Sequence, residues 1–169
     1  MHWNNKNPEN RDFLKGAGIS DRIIIFFATW FWTGFIPFGA GTWGSLAALP
    51  FAAGAYSLGV FFSCLSLLII VILSIPVAGK ASRIMKHKDP SFVVIDEAAG
   101  IFMTFFWVPV SWTSIIIGFV LFRLFDIVKP WPAGLIDKKL EGGAGIVLDD
   151  VVAGVYANVF LRAILIFID

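Results

Sequence analysis

Residues 23–79 read IIIFFATWFWTGFIPFGAGTWGSLAALPFAAGAYSLGVFFSCLSLLIIVILSIPVAG, 57 residues without one Asp, Glu, Lys or Arg. About 20 apolar residues cross the hydrocarbon core of a bilayer as a helix, so this stretch is long enough for two spans. A second uncharged run of 25 residues covers 98–122, and a third covers 151–161, beyond which only Arg162 interrupts apolar sequence up to Ile168. Each of these suffices for about one further span. The 169-residue chain is 58% hydrophobic and 15% charged, with 18 Phe, 7 Trp and a mean hydropathy of +0.83. Soluble domains average about 45–50% apolar and about 25% charged. So small a globule has too little interior to hide the excess. The expected fold class is all-α, an integral membrane helical bundle.

Other classes fall away on composition. Disorder requires low hydrophobicity. One cysteine, Cys64, cannot build a disulfide scaffold. A net charge of +1 gives no electrostatic footprint for nucleic acid, so no nucleic-acid partner is expected. Residues 1–21 are polar and lack the pattern of a secretory signal, and they are read as a polar N-terminal tail at the cytoplasmic surface.

Punctuation inside the apolar runs predicts short, broken or re-entrant helices. Pro37, Gly39, Gly41, Gly44, Pro50, Gly54, Gly59 and Pro76 divide the first run. They predict a helix over 23–35 that is too short to span, a glycine loop at 39–44, and helices near 45–57 and 60–75. In the second run, Pro109, Ser111, Thr113 and Ser114 predict a tight helical hairpin with arms near 98–107 and 112–122. The last helix, 151–168, is long enough to cross. Basic residues form three groups: Lys6, Arg11, Lys15 and Arg22; Lys80, Arg83, Lys86 and Lys88; Arg123, Lys129, Lys138 and Lys139. The positive-inside rule puts all three on the cytoplasmic side, with an even number of crossings between them.

Carboxylates stand at the borders of the apolar runs: Asp96-Glu97, Asp126 and Asp149-Asp150. A charge at the edge of hydrocarbon is costly and marks function by default. Adjacent like charges raise that cost unless a cation offsets them. Oxygen-rich clusters suit hard cations, and magnesium is commonly held by one or two carboxylates plus a substrate phosphate. A bland alternative is helix capping, with Asp149 starting the last helix and Asp96 the helix near Ala98. Arg123, Asp126 and Lys129 are spaced to share one helical face, either as chemistry or as an ion-pair ladder.

The loop Gly39-Ala40-Gly41-Thr42-Trp43-Gly44-Ser45 supplies neutral donors. Glycines let backbone N–H groups approach an anion at a helix start. Thr42, Gly44 and Ser45 are the candidate phosphate-binding positions, with Ser45 as the helix N-cap. No Lys follows Gly44, so this is not a Walker A loop. The same small residues also suit close helix packing. His2 and His87 are isolated and expected to be solvated, and Cys64 is expected to be a buried, inert thiol. The Trp residues fit anchoring at the membrane interface, among lipid partners.

These residues together resemble the phosphatidylglycerophosphatase A family. Gly41-Thr42-Trp43-Gly44-Ser45-Leu46 with Pro50 looks like its first motif. Asp89-Pro90-Ser91 and Val94-Ile95-Asp96-Glu97 with Gly100 look like the second. Phe122-Arg123-Leu124-Phe125-Asp126 with Lys129-Pro130, then Gly142-Gly143, Gly145 and Asp149-Asp150-Val151-Val152-Ala153-Gly154, look like the third. The similarity runs from about Arg22 to Arg162. It implies a magnesium-dependent lipid phosphatase of the bacterial inner membrane, acting on phosphatidylglycerophosphate, with a single membrane-embedded domain at 22–169. Carried over by position, Asp96, Glu97, Asp126, Asp149 and Asp150 are the implied acidic motif positions and metal ligands. Thr42, Arg123 and Lys129 are the polar ones. Asp126, Asp150, Lys129 and Arg123 are the expected catalytic set, with Arg123 and Lys129 also neutralising phosphate. Two rival readings compete with it. A CDP-alcohol transferase would carry several Asp on one continuous helix, and that pattern is absent. A small cation transporter would use the carboxylates as an ion path.

Overall fold

The computed structural model describes residues 17–87 and 90–168. Most of the polar tail lies outside them, with His2, Lys6, Arg11 and Lys15, as do Lys88 and Asp89. The described residues form seven helices and no strand: α1 Ile19–Ala28, α2 Ala40–Ser57, α3 Val60–Ile84, α4 Ile95–Thr104, α5 Trp112–Val128, α6 Ala133–Lys139 and α7 Gly142–Ile168. The all-helical expectation stands.

Two of these, α3 and α7, are long and apolar enough to cross a membrane. At 1.5 Å per residue they measure about 38 and about 40 Å, more than a hydrocarbon core. They are not the sheathed core helices of a soluble protein. On α3, Phe61 is 71% exposed and Leu68 57% exposed, in a nearly continuous apolar surface with Phe62, Leu65, Ile69 and Ile72. An apolar face of that extent fits lipid rather than water.

α7 is the hub, packing on α3, α4, α5 and α6. The inner layer is built of small and medium side chains: Ala48, Ala78, Ala81, Ala98, Ala99, Ala153 and Ala157 are all within 1% of full burial. Without a hydrophobic drive between helices in lipid, such residues let backbones approach for van der Waals contact. The second apolar run forms the predicted helical hairpin, α4 then α5. Its turn is fixed by a capping box, in which Ser111 Oγ accepts from Ser114 N at 3.1 Å and Ser111 N donates to Ser114 Oγ at 2.8 Å.

Four expectations are corrected. The first helix is α1, ending at Ala28 rather than near 35; Trp30, Phe31 and Trp32 then take left-handed φ of 44°, 58° and 69°, and a 3-10 turn follows at Thr33–Phe35. The glycine loop is helical instead: α2 starts at Ala40 with Gly39 as N-cap, so Ser45 is not a cap, and neither Pro50 nor Pro76 ends its helix. The last helix starts at Gly142, nine residues before Val151, which puts Asp149 inside α7 and removes its capping role. Here the glycines serve packing. A Cβ at Gly143 would strike Ile75 O of α3 and lie 2.7 Å from Gly79 N. Last, Cys64 is exposed on the outer surface of α3 rather than buried.

Candidate functional site

Four helices bring carboxylates to one place. Asp96 and Glu97 occupy the first turn of α4, and Asp150 lies two turns into α7. One carboxylate oxygen from each of these three falls within 4.8 Å of the others. Asp126, near the end of α5, lines the same cavity of about 240 Å³, together with Asp137, Asp149 and Lys129. Six carboxylates therefore face this space. Asp96 is 8% exposed, Asp149 3% and Asp150 4%.

Two cations organise the carboxylates. Arg123 Nη1 donates to Asp126 Oδ2 at 2.6 Å and stands 4.0 Å from Glu97 Oε1. Lys129 caps α5 with a left-handed φ of 47°, which turns it off the helical face it was expected to share. Its Nζ donates to Asp149 Oδ2 at 2.6 Å and approaches Asp137 Oδ1 at 3.1 Å. Half-burial alone would lower the Lys129 pKa, but the hydrogen bonds and charges of Asp149 and Asp137 outweigh it and hold the ammonium above its ordinary range. Burial pushes the Glu97 carboxyl up to about 7; Asp126 adds to the rise, while a hydrogen bond with Asp96 and the charge of Arg123 oppose it.

The donor set fits a hard divalent cation. Glu97 Oε2 and Asp149 Oδ1 are buried and accept no hydrogen bond. Buried acceptors left unsatisfied call for an explanation such as an ion. All-oxygen ligands with several carboxylates suit magnesium-like ions rather than soft metals.

The candidate residues separate into groups. Asp96, Glu97 and Asp150 converge; Asp126 joins their cavity while paired with Arg123; Asp149 sits in the cavity wall facing Lys129. Thr42, Gly44 and Ser45 are not among the residues that line this cavity. Ser45 is fully buried and donates to Gly41 O of its own helix at 2.7 Å, and a Cβ at Gly44 would lie 2.6 Å from Val94 Cβ. Gly44 therefore seats α2 against the start of α4, while the Ser45 hydroxyl is spent within α2. Thr42 is half-buried in the first turn of α2. The near neighbour is Gly41, where a Cβ would run into Glu97 Oε1 and lie 3.1 Å from Arg123 Nη1. Asp137 escaped the sequence reading. Its only signal was its place in the third polar segment, between Lys129 and Lys138.

Comparison with known proteins agrees with the motifs. The profile of the family described as phosphatidylglycerophosphatase A matches residues 26–165. The phosphatidylglycerophosphatase A of Haemophilus influenzae is 38% identical over 143 residues, covering 83% of this chain and 88% of that protein. The protein of the same name from Escherichia coli is 32% identical over 149 residues, covering 88% and 87%. A Bacteroides thetaiotaomicron protein named, provisionally, phosphatidylinositol-3-phosphatase is 34% identical over 146 residues, covering 82% and 91%. No solved structure matches the chain significantly. The chain belongs to the phosphatidylglycerophosphatase A family.

Proposed function

We propose that the protein hydrolyses the terminal phosphomonoester of phosphatidylglycerophosphate, giving phosphatidylglycerol and inorganic phosphate. The observation that carries this reading is the meeting of Asp96, Glu97 and Asp150 within 4.8 Å, in a chain of this family. A cation-transporter reading has no such support, since the carboxylates gather at one site instead of lining a path.

Magnesium is the proposed cofactor, with Asp96, Glu97 and Asp150 as its holders and Asp126 and Asp149 beside them. When bound, it would supply positive charge for the phosphate oxygens and a water of lowered pKa. The chain's own residues do the rest. A phosphomonoester carries nearly two negative charges, about −1.5 to −2, at neutral pH. Lys129 offsets part of that charge, and Arg123 holds the Asp126 carboxylate in one orientation at the cavity. The nucleophile is either a water that gives its proton to Asp126 or Asp150, or one of these carboxylates attacking directly. Recovery of an acid-stable phosphorylated Asp after rapid quenching selects the second route; its absence during turnover selects the first.

Within this proposal, residues 22–169 form one membrane-embedded domain in the bacterial inner membrane. The cavity opens on the cytoplasmic side, where the positive-inside rule puts Arg83, Lys86, Lys138 and Lys139. A phosphate held there lets the acyl chains stay in the bilayer. The test is phosphate release by purified protein in mixed micelles. Magnesium-dependent release from phosphatidylglycerophosphate, well above release from phosphatidic acid, supports the reading. Equal rates on both lipids, or no release from either, overturn it.

A further inference from the structure

α4 is ten residues long, about 15 Å, so it ends within the apolar body of the protein. The last carbonyls of a helix have no partner within it, and hydrocarbon offers none. Two side chains of α7 supply the donors. Asn158 Nδ2 donates to Thr104 O at 2.9 Å and to Phe106 O at 2.8 Å. Arg162 Nη2 donates to Phe106 O at 2.8 Å and to Trp107 O at 2.7 Å. Arg162 Nε donates to Asn158 Oδ1 at 2.9 Å, which fixes the Asn amide. A positive charge at a helix C-terminus also meets the negative end of its dipole.

The spacing along α7 ties this cap to the carboxylate site. Asp150, Gly154, Asn158 and Arg162 recur every four residues and share one face of the helix. Asp150 meets Asp96 and Glu97 at the start of α4. Gly154 lies against Gly100 O and Met103 Cβ in its middle. Asn158 and Arg162 close its end. Sliding α4 by one turn would shift it by about 5.4 Å. Alanine and glycine surfaces oppose such sliding weakly, whereas a satisfied polar network admits a single register.

We propose that Asn158 and Arg162 are positioning residues. By capping α4 they set its register on α7, and so hold Asp96 and Glu97 at the distance from Asp150 that cation binding and turnover require. The proposal rests on the carboxylate cluster being the catalytic cation site. Misplacement by about 1 Å far from the chemistry can cost on the order of a hundredfold in rate.

The experiment compares wild type, Asn158→Ala, Arg162→Ala, Arg162→Lys and Leu161→Ala in detergent. Leu161 is fully buried on α7 but packs toward Gly118 of α5, so it serves as the destabilising control. Mn2+ binding to the protein, read from the free-ion electron paramagnetic resonance signal, gives a measure independent of turnover. Asn158→Ala and Arg162→Ala should each weaken Mn2+ binding and lower kcat by about tenfold or more, with KM for the lipid little changed. Arg162→Lys, which keeps a charged donor, should recover most of both. Leu161→Ala should lower the melting temperature and leave Mn2+ affinity at the wild-type value. Wild-type Mn2+ affinity in both alanine variants would overturn the proposal, as would an equal loss in Leu161→Ala. If Arg162→Ala cannot be recovered folded, Asn158→Ala and Arg162→Lys decide. Wild-type protein that binds Mn2+ in this register-dependent way but releases no phosphate contradicts the proposed function and leaves the positioning role standing.

Discussion

Lys129 Nζ lies 2.6 Å from Asp149 Oδ2, tying the end of α5 to α7 across twenty residues. Asp149 is 3% exposed, so the pair is desolvated on the acidic side. Removing one partner of a buried pair typically costs about 3–5 kcal/mol, because the other charge stays behind. Lys129→Met should therefore lower the melting temperature and abolish phosphate release. Adding Asp149→Asn should restore much of the stability without restoring activity, since the cation facing the phosphate is still missing. Full activity in the double variant would remove Lys129 from the site.

Gly41 allows α2 to touch the acidic cluster. A Cβ there meets Glu97 Oε1 and Arg123 Nη1, whereas a Cβ at Gly54 of the same helix meets nothing within 4 Å. Gly41→Ala should cut kcat by about tenfold or more while the protein stays folded, because it displaces groups at the site. Gly54→Ala should leave kcat unchanged. Phosphate-release kinetics on the two purified variants check the contrast.

Gly143 lets the α7 backbone come close to α3, where a Cβ would meet Ile75 O and Gly79 N. Gly143→Ala should destabilise by about 1–3 kcal/mol, the usual range for overpacking. Thermal unfolding in detergent measures it. An unchanged melting temperature would mean that the two helices separate without cost.

The arrangement of α3 sets a topology. Its 25 residues run from just after Leu58 to just before Lys86, and in the proposed membrane-spanning arrangement these ends face opposite sides of the bilayer. Both residues are exposed, as is Lys138. In a Cys64→Ser background, cysteines at Lys86 and Lys138 should react with an impermeant maleimide only from the cytoplasmic side, and one at Leu58 only from the other. Labelling of Lys86 and Lys138 from opposite sides would contradict a shared cytoplasmic face.

Much of this was legible because charge is conspicuous in an apolar chain. The runs without charge gave the helical class, and Pro109 with Ser111 and Ser114 gave the α4–α5 hairpin. Boundaries failed where small residues pack instead of turn. Gly39–Gly44 and Gly142–Gly145 have loop composition, yet most of their glycines lie within helices that need close approach. Left-handed backbone at Trp30–Trp32 is disfavoured for aromatic residues and leaves no local mark. The acidic positions stood out, but not their partners. Asp149 and Asp150 are neighbours in sequence and point about 100° apart on α7, one to Lys129 and one to Asp96 and Glu97. Asn158 and Arg162 were passed over because their partners are backbone carbonyls, which no sequence displays.

The most direct test of the central claim is phosphate release from phosphatidylglycerophosphate by wild type, Asp126→Asn and Asp150→Asn at saturating magnesium. Each variant is first shown to elute and melt as a folded protein. Release by wild type that stops on chelation, with none from either variant, is the predicted result. Near-wild-type turnover in both variants would contradict the assignment of the site.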